Sequence, residues 1–175
     1  MRFLIVMDPP ARINPRSDTT FVIMEEAQAR GHELLHCEPA QLALEGTRAV
    51  ATVRPARVER AAGAPVELGQ PRTVALADCD AVLMRKDPPY DLDYHLATLL
   101  LERARGQSFL MNDPRGLREA NEKLYALEFA AFLPPTVVTR QPARLRAFLA
   151  ELGGELIVKP VEGHGGRGVF HLRAG

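Results

Sequence analysis

Three short, almost wholly apolar runs, Phe3 to Met7, Ala81 to Met84 and Ser108 to Met111, each stop at a polar segment that contains proline. A strand without polar alternation must be covered on both faces, and parallel sheets sandwiched between helices provide that environment. Helical signals lie between the runs. After a loop with Pro9, Pro10, Asn14 and Pro15, either Ser17 or Asp18 is placed to cap a helix over Phe21 to Arg30, closed by Gly31. Glu33 to Cys37 reads as the second strand, and Tyr94 to Arg105 as an amphipathic helix with Leu96, Leu99, Leu100 and Ala104 on its apolar side. Between them, Val50, Thr52, Val58 and Val66 are broken by Gly46, Pro55, Gly63, Pro65 and Pro71. That spacing predicts an excursion of short antiparallel strands with a mobile connection near Ala61 to Gln70. Residues 1–118 are therefore expected to form an α/β domain built on an open, mostly parallel sheet.

In open α/β sheets ligands gather beyond the carboxyl ends of the strands. Asp8-Pro9-Pro10, Arg85-Lys86-Asp87-Pro88-Pro89 and Asn112-Asp113-Pro114 occupy such ends. The two prolines after Asp87 restrict the backbone, so a guanidinium and an ammonium leave the strand in a defined direction. Arginine holds a carboxylate through two parallel hydrogen bonds, which suits a carboxylate substrate. The alternative is a solvated strand end whose ions pair with one another.

Beyond residue 118 a second unit is expected. Pro114 to Lys123 reads as a connection, Glu122 to Ala131 as a helix ended by Pro134-Pro135, and Thr136 to Thr139 as a strand. Pro142 to Leu152 is a helix closed by Gly153-Gly154, and Glu155 to Lys159 is a strand that runs into Gly163-His164-Gly165-Gly166-Arg167-Gly168. Glycine-rich backbone can close around anionic oxygens because no Cβ intervenes. Gly163, Gly165 and Gly168 match the dinucleotide fingerprint, but that motif needs a helix directly behind it. Val169 to Arg173 reads instead as a strand, so that reading is rejected. Walker A fails for want of a Gly-Lys-Ser/Thr sequence, and the kinase order places its lysine after the loop, whereas Lys159 precedes it. A strand, a lysine, a glycine lid and a strand remain, with an ordinary glycine-rich hairpin as the alternative. Lys123 and Lys159 are the only lysines besides Lys86. Their compact charge suits a phosphate oxygen, although they also read as surface lysines.

Charge and apolar content narrow the classes. The 22 basic and 22 acidic residues cancel, so no net field favours nucleic acid or an anionic membrane. The apolar runs are too short to span a bilayer, and the expectation is a soluble, cytoplasmic protein without an export signal. Cys37 and Cys79 sit in apolar, strand-like settings without metal spacing and read as buried free thiols.

Taken together, Val6-Met7-Asp8-Pro9, the Asn14 to Phe21 segment, Met84-Arg85-Lys86-Asp87-Pro88-Pro89, Asn112-Asp113-Pro114, Asn121-Glu122-Lys123-Leu124, and Lys159-Pro160 followed by Gly163-x-Gly165-Gly166 resemble the bacterial glutathione synthetase family of the ATP-grasp superfamily. The match runs in order along nearly the whole chain. The resemblance implies a pre-ATP-grasp substrate-binding domain over 1–118 and the first α+β lobe of an ATP-grasp domain over 119–175, with the rest of that domain absent. It implies an ATP-dependent ligase that joins γ-glutamylcysteine to glycine through an acyl phosphate, yielding glutathione, ADP and phosphate. No side-chain nucleophile is needed, and none is apparent.

Carried onto matching positions, the resemblance implies that Lys123 and Lys159 contact nucleotide phosphates and that Gly163, Gly165 and Gly166 form the lid. Asp8, Asn14, Arg85 and Asn112 would line the dipeptide side. The family's Mg²⁺ ligands and adenine contacts are expected outside this chain, with no catalytic or metal residue inside it, so the 175 residues alone are expected to be inactive. The resemblance also implies a homo-oligomer and small-molecule substrates, with no nucleic-acid or membrane partner. His164 replaces a larger apolar lid residue and reads either as a phosphate contact or as a solvent-facing loop tip. Another ATP-grasp carboxylate–amine ligase and a non-catalytic binding or assembly module remain as rival functions.

Overall fold

The first apolar run forms β1 (Arg2–Val6) and pairs in parallel with β2 (Glu33–Cys37) on one side and β7 (Ala81–Met84) on the other. Strand β8 (Phe109–Met111) adds in parallel to β7. These pairings come from a computed structural model that describes residues 1–61 and 63–174. The chain divides into two units, Met1–Glu119 and Ala120–Gly175.

Alternation along β1 puts Leu4 and Val6 in one core and Ile5 and Met7 in the other. Helix α1 (Thr19–Ala29) covers the second of these through Phe21, Met24 and Ala27, and α2 (Leu92–Glu102) covers the first through Ala97 and Leu101. The sheet is thus clad on both faces, which is why its central strands lack polar alternation. Asp18 caps α1 by accepting hydrogen bonds from the Thr20 and Phe21 amides at 2.7 and 3.1 Å.

The excursion is built on one long strand, β4 (Arg48–Val58), antiparallel to β2. Its first half pairs with β3 (Leu42–Glu45) and β6 (Arg72–Ala75), and its second half with β5 (Val66–Leu68). β5 therefore lies inside the segment expected as a connection; Ala62 of that segment lies outside the described residues.

Two further expectations change within this unit. The buried side of α2 carries Tyr94, Ala97, Thr98 and Leu101; of the expected apolar side, Leu100 and Ala104 pack on the core, while Leu96 and Leu99 remain exposed. Short segments allow several apolar faces, and packing against the first core selected this one. The expected connection after Asn112 begins with a helix, α3 (Pro114–Glu119). Asp113 caps it by accepting from the Arg115 and Gly116 amides at 2.9 and 3.0 Å, with Pro114 at its first position.

In the second unit, α4 (Pro142–Glu151) precedes β9 (Glu155–Val158), which pairs antiparallel with β10 (Phe170–Arg173). Leu156 is the one buried side chain among this unit's described residues. With so little packing to impose α geometry, the expected helix over Glu122 to Ala131 is instead a 3₁₀ stretch, Tyr125–Phe132, interrupted at Phe129. The expected strand over Thr136 to Thr139 does not pair. The Thr136 hydroxyl donates to the Pro134 carbonyl at 2.8 Å, and the Thr139 hydroxyl accepts from the Gln141 amide at 3.0 Å, so local bonds replace a ladder.

Candidate functional site

Parallel pairing brings the residues after β1, β7 and β8 to one edge of the first unit's sheet. Arg85 continues the ladder, its amide donating to the Val6 carbonyl at 2.7 Å. Its guanidinium donates from Nε to the Thr20 hydroxyl at 3.0 Å and from Nη2 to the Thr19 hydroxyl at 2.7 Å. Both threonines lie in the first turn of α1. Among the described residues no carboxylate pairs with Arg85, so its charge is oriented without being neutralised.

Lys86 behaves differently. Its ammonium pairs with Asp8 Oδ1 at 3.3 Å, while Asp8 Oδ2 accepts from the Asp87 amide at 2.9 Å. Arg12 approaches the same carboxylate at 3.8 Å. The expectation that strand-end ions pair with one another therefore holds for Lys86 and not for Arg85. Asp8, Arg12, Asp18, Thr20, Arg85 and Asp87 line a single recess. Asn14 and Asn112 are not part of its lining. Asn14 shapes the entry to α1, its side-chain oxygen accepting from the Arg16 amide at 3.1 Å, and Asn112 is exposed beyond β8.

Sequence reasoning missed Arg12, Thr19, Thr20 and His36 at this edge. The threonine pair directly after the Asp18 cap was the available signal. His36 is buried, its Nε2 lies 3.4 Å from the Asp8 carbonyl, and its Nδ1 has no partner among the described residues. Burial lowers its pKa against the opposing pull of that carbonyl.

In the second unit, Lys123 donates to the Gly163 carbonyl and pairs with Glu122. Asn121 holds the local turn by accepting from the Lys123 and Leu124 amides, each at 3.0 Å. Lys159 follows β9, is exposed, and opens the glycine loop that Lys123 touches. Gly165 and Gly166 adopt φ of 58° and 74°, and a Cβ on either would meet nothing within 4 Å. Gly163 is enclosed instead: a Cβ there would stand 2.5 Å from Pro160 Cγ. The loop is thus packed at its base and open at its tip, a form in which backbone amides can approach an anion.

His164 is half-buried. The carboxyl of Glu122 is held below its ordinary range, first by Lys123 and to a lesser degree by His164.

Among the described residues no group of three or more His, Cys, Asp or Glu side chains could hold a metal ion, and no helix is long and apolar enough to cross a membrane. Residues 1–118 match the N-terminal domain of prokaryotic glutathione synthetase, and residues 122–175 match the ATP-grasp domain of the same enzyme. The glutathione synthetase of Rhodopseudomonas palustris is 41% identical over 172 residues, covering 98% of this chain and 55% of the relative. That of Salmonella typhimurium is 45% identical over 172 residues, covering 98% and 54%. The Shewanella oneidensis enzyme is 43% identical over 170 residues, covering 97% and 54%. The chain spans about half the length of the curated relatives it matches.

Proposed function

The chain belongs to the prokaryotic glutathione synthetase family, and from that premise we propose that it supplies a dipeptide recess and a phosphate loop to the ATP-dependent joining of γ-glutamylcysteine and glycine. The observation that carries this reading is Arg85, fixed by two neutral hydroxyls at a strand end, with its positive charge available to a carboxylate. Asp8 acts beside it. By engaging Lys86 and the Asp87 amide, it holds the turn that carries Arg85 and leaves the Arg85 guanidinium without a carboxylate partner among the described residues. Asn14 supports the same edge by shaping the approach to α1, and Asn112 adds an exposed amide at the end of the neighbouring strand.

On the nucleotide side, Lys123 and Lys159 contribute positive charge, and Gly163, Gly165 and Gly166 the loop backbone. Lys123 must exchange its Glu122 and Gly163 partners for phosphate oxygens, a trade between charge-assisted bonds of similar kind. Transfer of the γ-phosphoryl group to the dipeptide's C-terminal carboxylate would give an acyl phosphate and ADP. Attack by the glycine amine would then form the amide and release phosphate. The work assigned to this chain is positioning and charge stabilisation, which needs no side-chain nucleophile. The Mg²⁺ that such chemistry uses finds no set of acidic ligands among the described residues, so no role here is routed through it. A cytoplasmic, homo-oligomeric enzyme is part of the same proposal.

Calorimetric titration with γ-glutamylcysteine tests the recess: heat is expected with the unaltered chain and none with Arg85→Ala. Binding unaffected by Arg85→Ala would overturn the assignment. For the reaction, phosphate release from ATP is measured in a polypeptide that includes these 175 residues. It should require both γ-glutamylcysteine and glycine, and release with another carboxylate–amine pair alone would point to a different ligase.

A further inference from the structure

We propose that Thr19 and Thr20 are positioning residues that dictate which edge of the Arg85 guanidinium meets the substrate carboxylate, an inference that rests on the substrate role of Arg85 proposed above. A guanidinium offers five N–H donors in a rigid plane. Here Nε donates to the Thr20 hydroxyl at 3.0 Å and Nη2 to the Thr19 hydroxyl at 2.7 Å. The Nε–Nη2 edge is thereby occupied. The donors left for a bidentate carboxylate are those of Nη1 and the second N–H of Nη2, so the substrate must approach from the far end of the side chain.

Three observations make this more than a surface contact. Thr20 is only 5% exposed, so its hydroxyl has little access to water as an alternative partner for Arg85. Both threonines stand in the first turn of α1, where the Asp18 cap fixes the backbone and Phe21 and Met24 anchor the helix to the core that contains Leu83 of β7. β-Branched side chains also have few χ1 options in a helix. The third is chemical. Hydroxyls hold the guanidinium by accepting hydrogen bonds without cancelling its charge, whereas Asp8, which holds Lys86, does cancel that charge. A carboxylate at position 19 or 20 would fix the arginine equally well and spoil it for an anionic ligand.

The test is a set of calorimetric titrations of the 175-residue chain with γ-glutamylcysteine. Losing a hydrogen bond to a charged group should weaken binding about tenfold in Thr20→Val and in Thr19→Val. Thr20→Ser keeps the hydroxyl and should remain within about twofold of the unaltered chain. Thr19 is exposed, so Thr19→Val should fold even if Thr20→Val does not. In an Arg85→Lys background, which keeps a cation without the planar fork, either valine substitution should have no further effect. Equal weakening in both backgrounds would show that the threonines act through the fold, and would overturn the proposal. So would binding unchanged in Thr19→Val while Arg85→Ala abolishes it, a result that leaves the role of Arg85 standing. If Arg85→Ala changes nothing, or the unaltered chain gives no heat, the role of Arg85 itself is lost and this inference with it.

Discussion

His36 shows how a single buried side chain can carry a pH response of the first unit. Its ring is buried and its Nδ1 lacks a partner among the described residues, so the folded state disfavours the imidazolium. The unfolded ring takes up a proton near pH 6.5, whereas the folded ring does so only at lower pH. The folded state then binds fewer protons, so the contribution of His36 is intact above that value and is lost as pH falls below it. Thermal unfolding should show Tm declining from about pH 6.5 downward. In His36→Gln that decline should flatten, and an unchanged slope would remove His36 from the account. The thiols shift the other way. Burial pushes Cys37 up to about 12 and Cys79 up to about 11, so the thiolate is scarce in the native protein at mildly alkaline pH. A thiol reagent should label neither cysteine until the chain unfolds; prompt labelling of Cys37 under native conditions would contradict its burial.

At the scale of elements, the glycine loop separates two reasons for lacking a side chain. At Gly163 a Cβ would stand 2.5 Å from Pro160 Cγ and 3.2 Å from the Arg167 carbonyl oxygen. Gly163→Ala should therefore cost about 2–3 kcal/mol, as overpacking does, and should loosen the β9–β10 pairing. At Gly165 there is open space, and only the left-handed φ of 58° opposes a side chain. Gly165→Ala should cost about 1 kcal/mol, chiefly as backbone strain. Denaturant unfolding with amide exchange on β9 and β10 distinguishes them, and equal effects would mean that the loop base is not packed. In α1 the Asp18 carboxylate serves two amides, so Asp18→Ala should destabilise the first unit by about 1 kcal/mol.

Across the whole molecule, stability is unevenly spread. Both hydrophobic cores lie within Met1–Glu119, whereas Leu156 is the one buried side chain among the described residues of Ala120–Gly175. Local opening is governed by the apolar area a region buries. Amides of β1 and β7 should exchange only through global unfolding of their unit, and those of β9 and β10 through smaller openings. Equal protection in the two units would refute this. Such a distribution suits the functions proposed for each. The substrate edge is fixed by a sheet covered on both faces, and the phosphate loop is carried by a hairpin with little packing of its own.

Local order along the chain was enough to determine the parallel strands, the polar segments at their ends, a helix cap at Ser17 or Asp18 and the glycine loop. Each of these rests on periodicity or on backbone chemistry within a few residues. Tertiary structure alone decided which face of α2 is buried, that one long β4 gathers four neighbours, and that Tyr125–Phe132 forms a 3₁₀ stretch. It also decided that Lys86 pairs with Asp8, 78 positions away by number (86 − 8), while Arg85 rests on Thr20 across a separation of 65. No local pattern encodes such pairings, because the charges of adjacent residues look alike in sequence. They part only when the strand end turns one side chain toward a carboxylate and the next toward two hydroxyls.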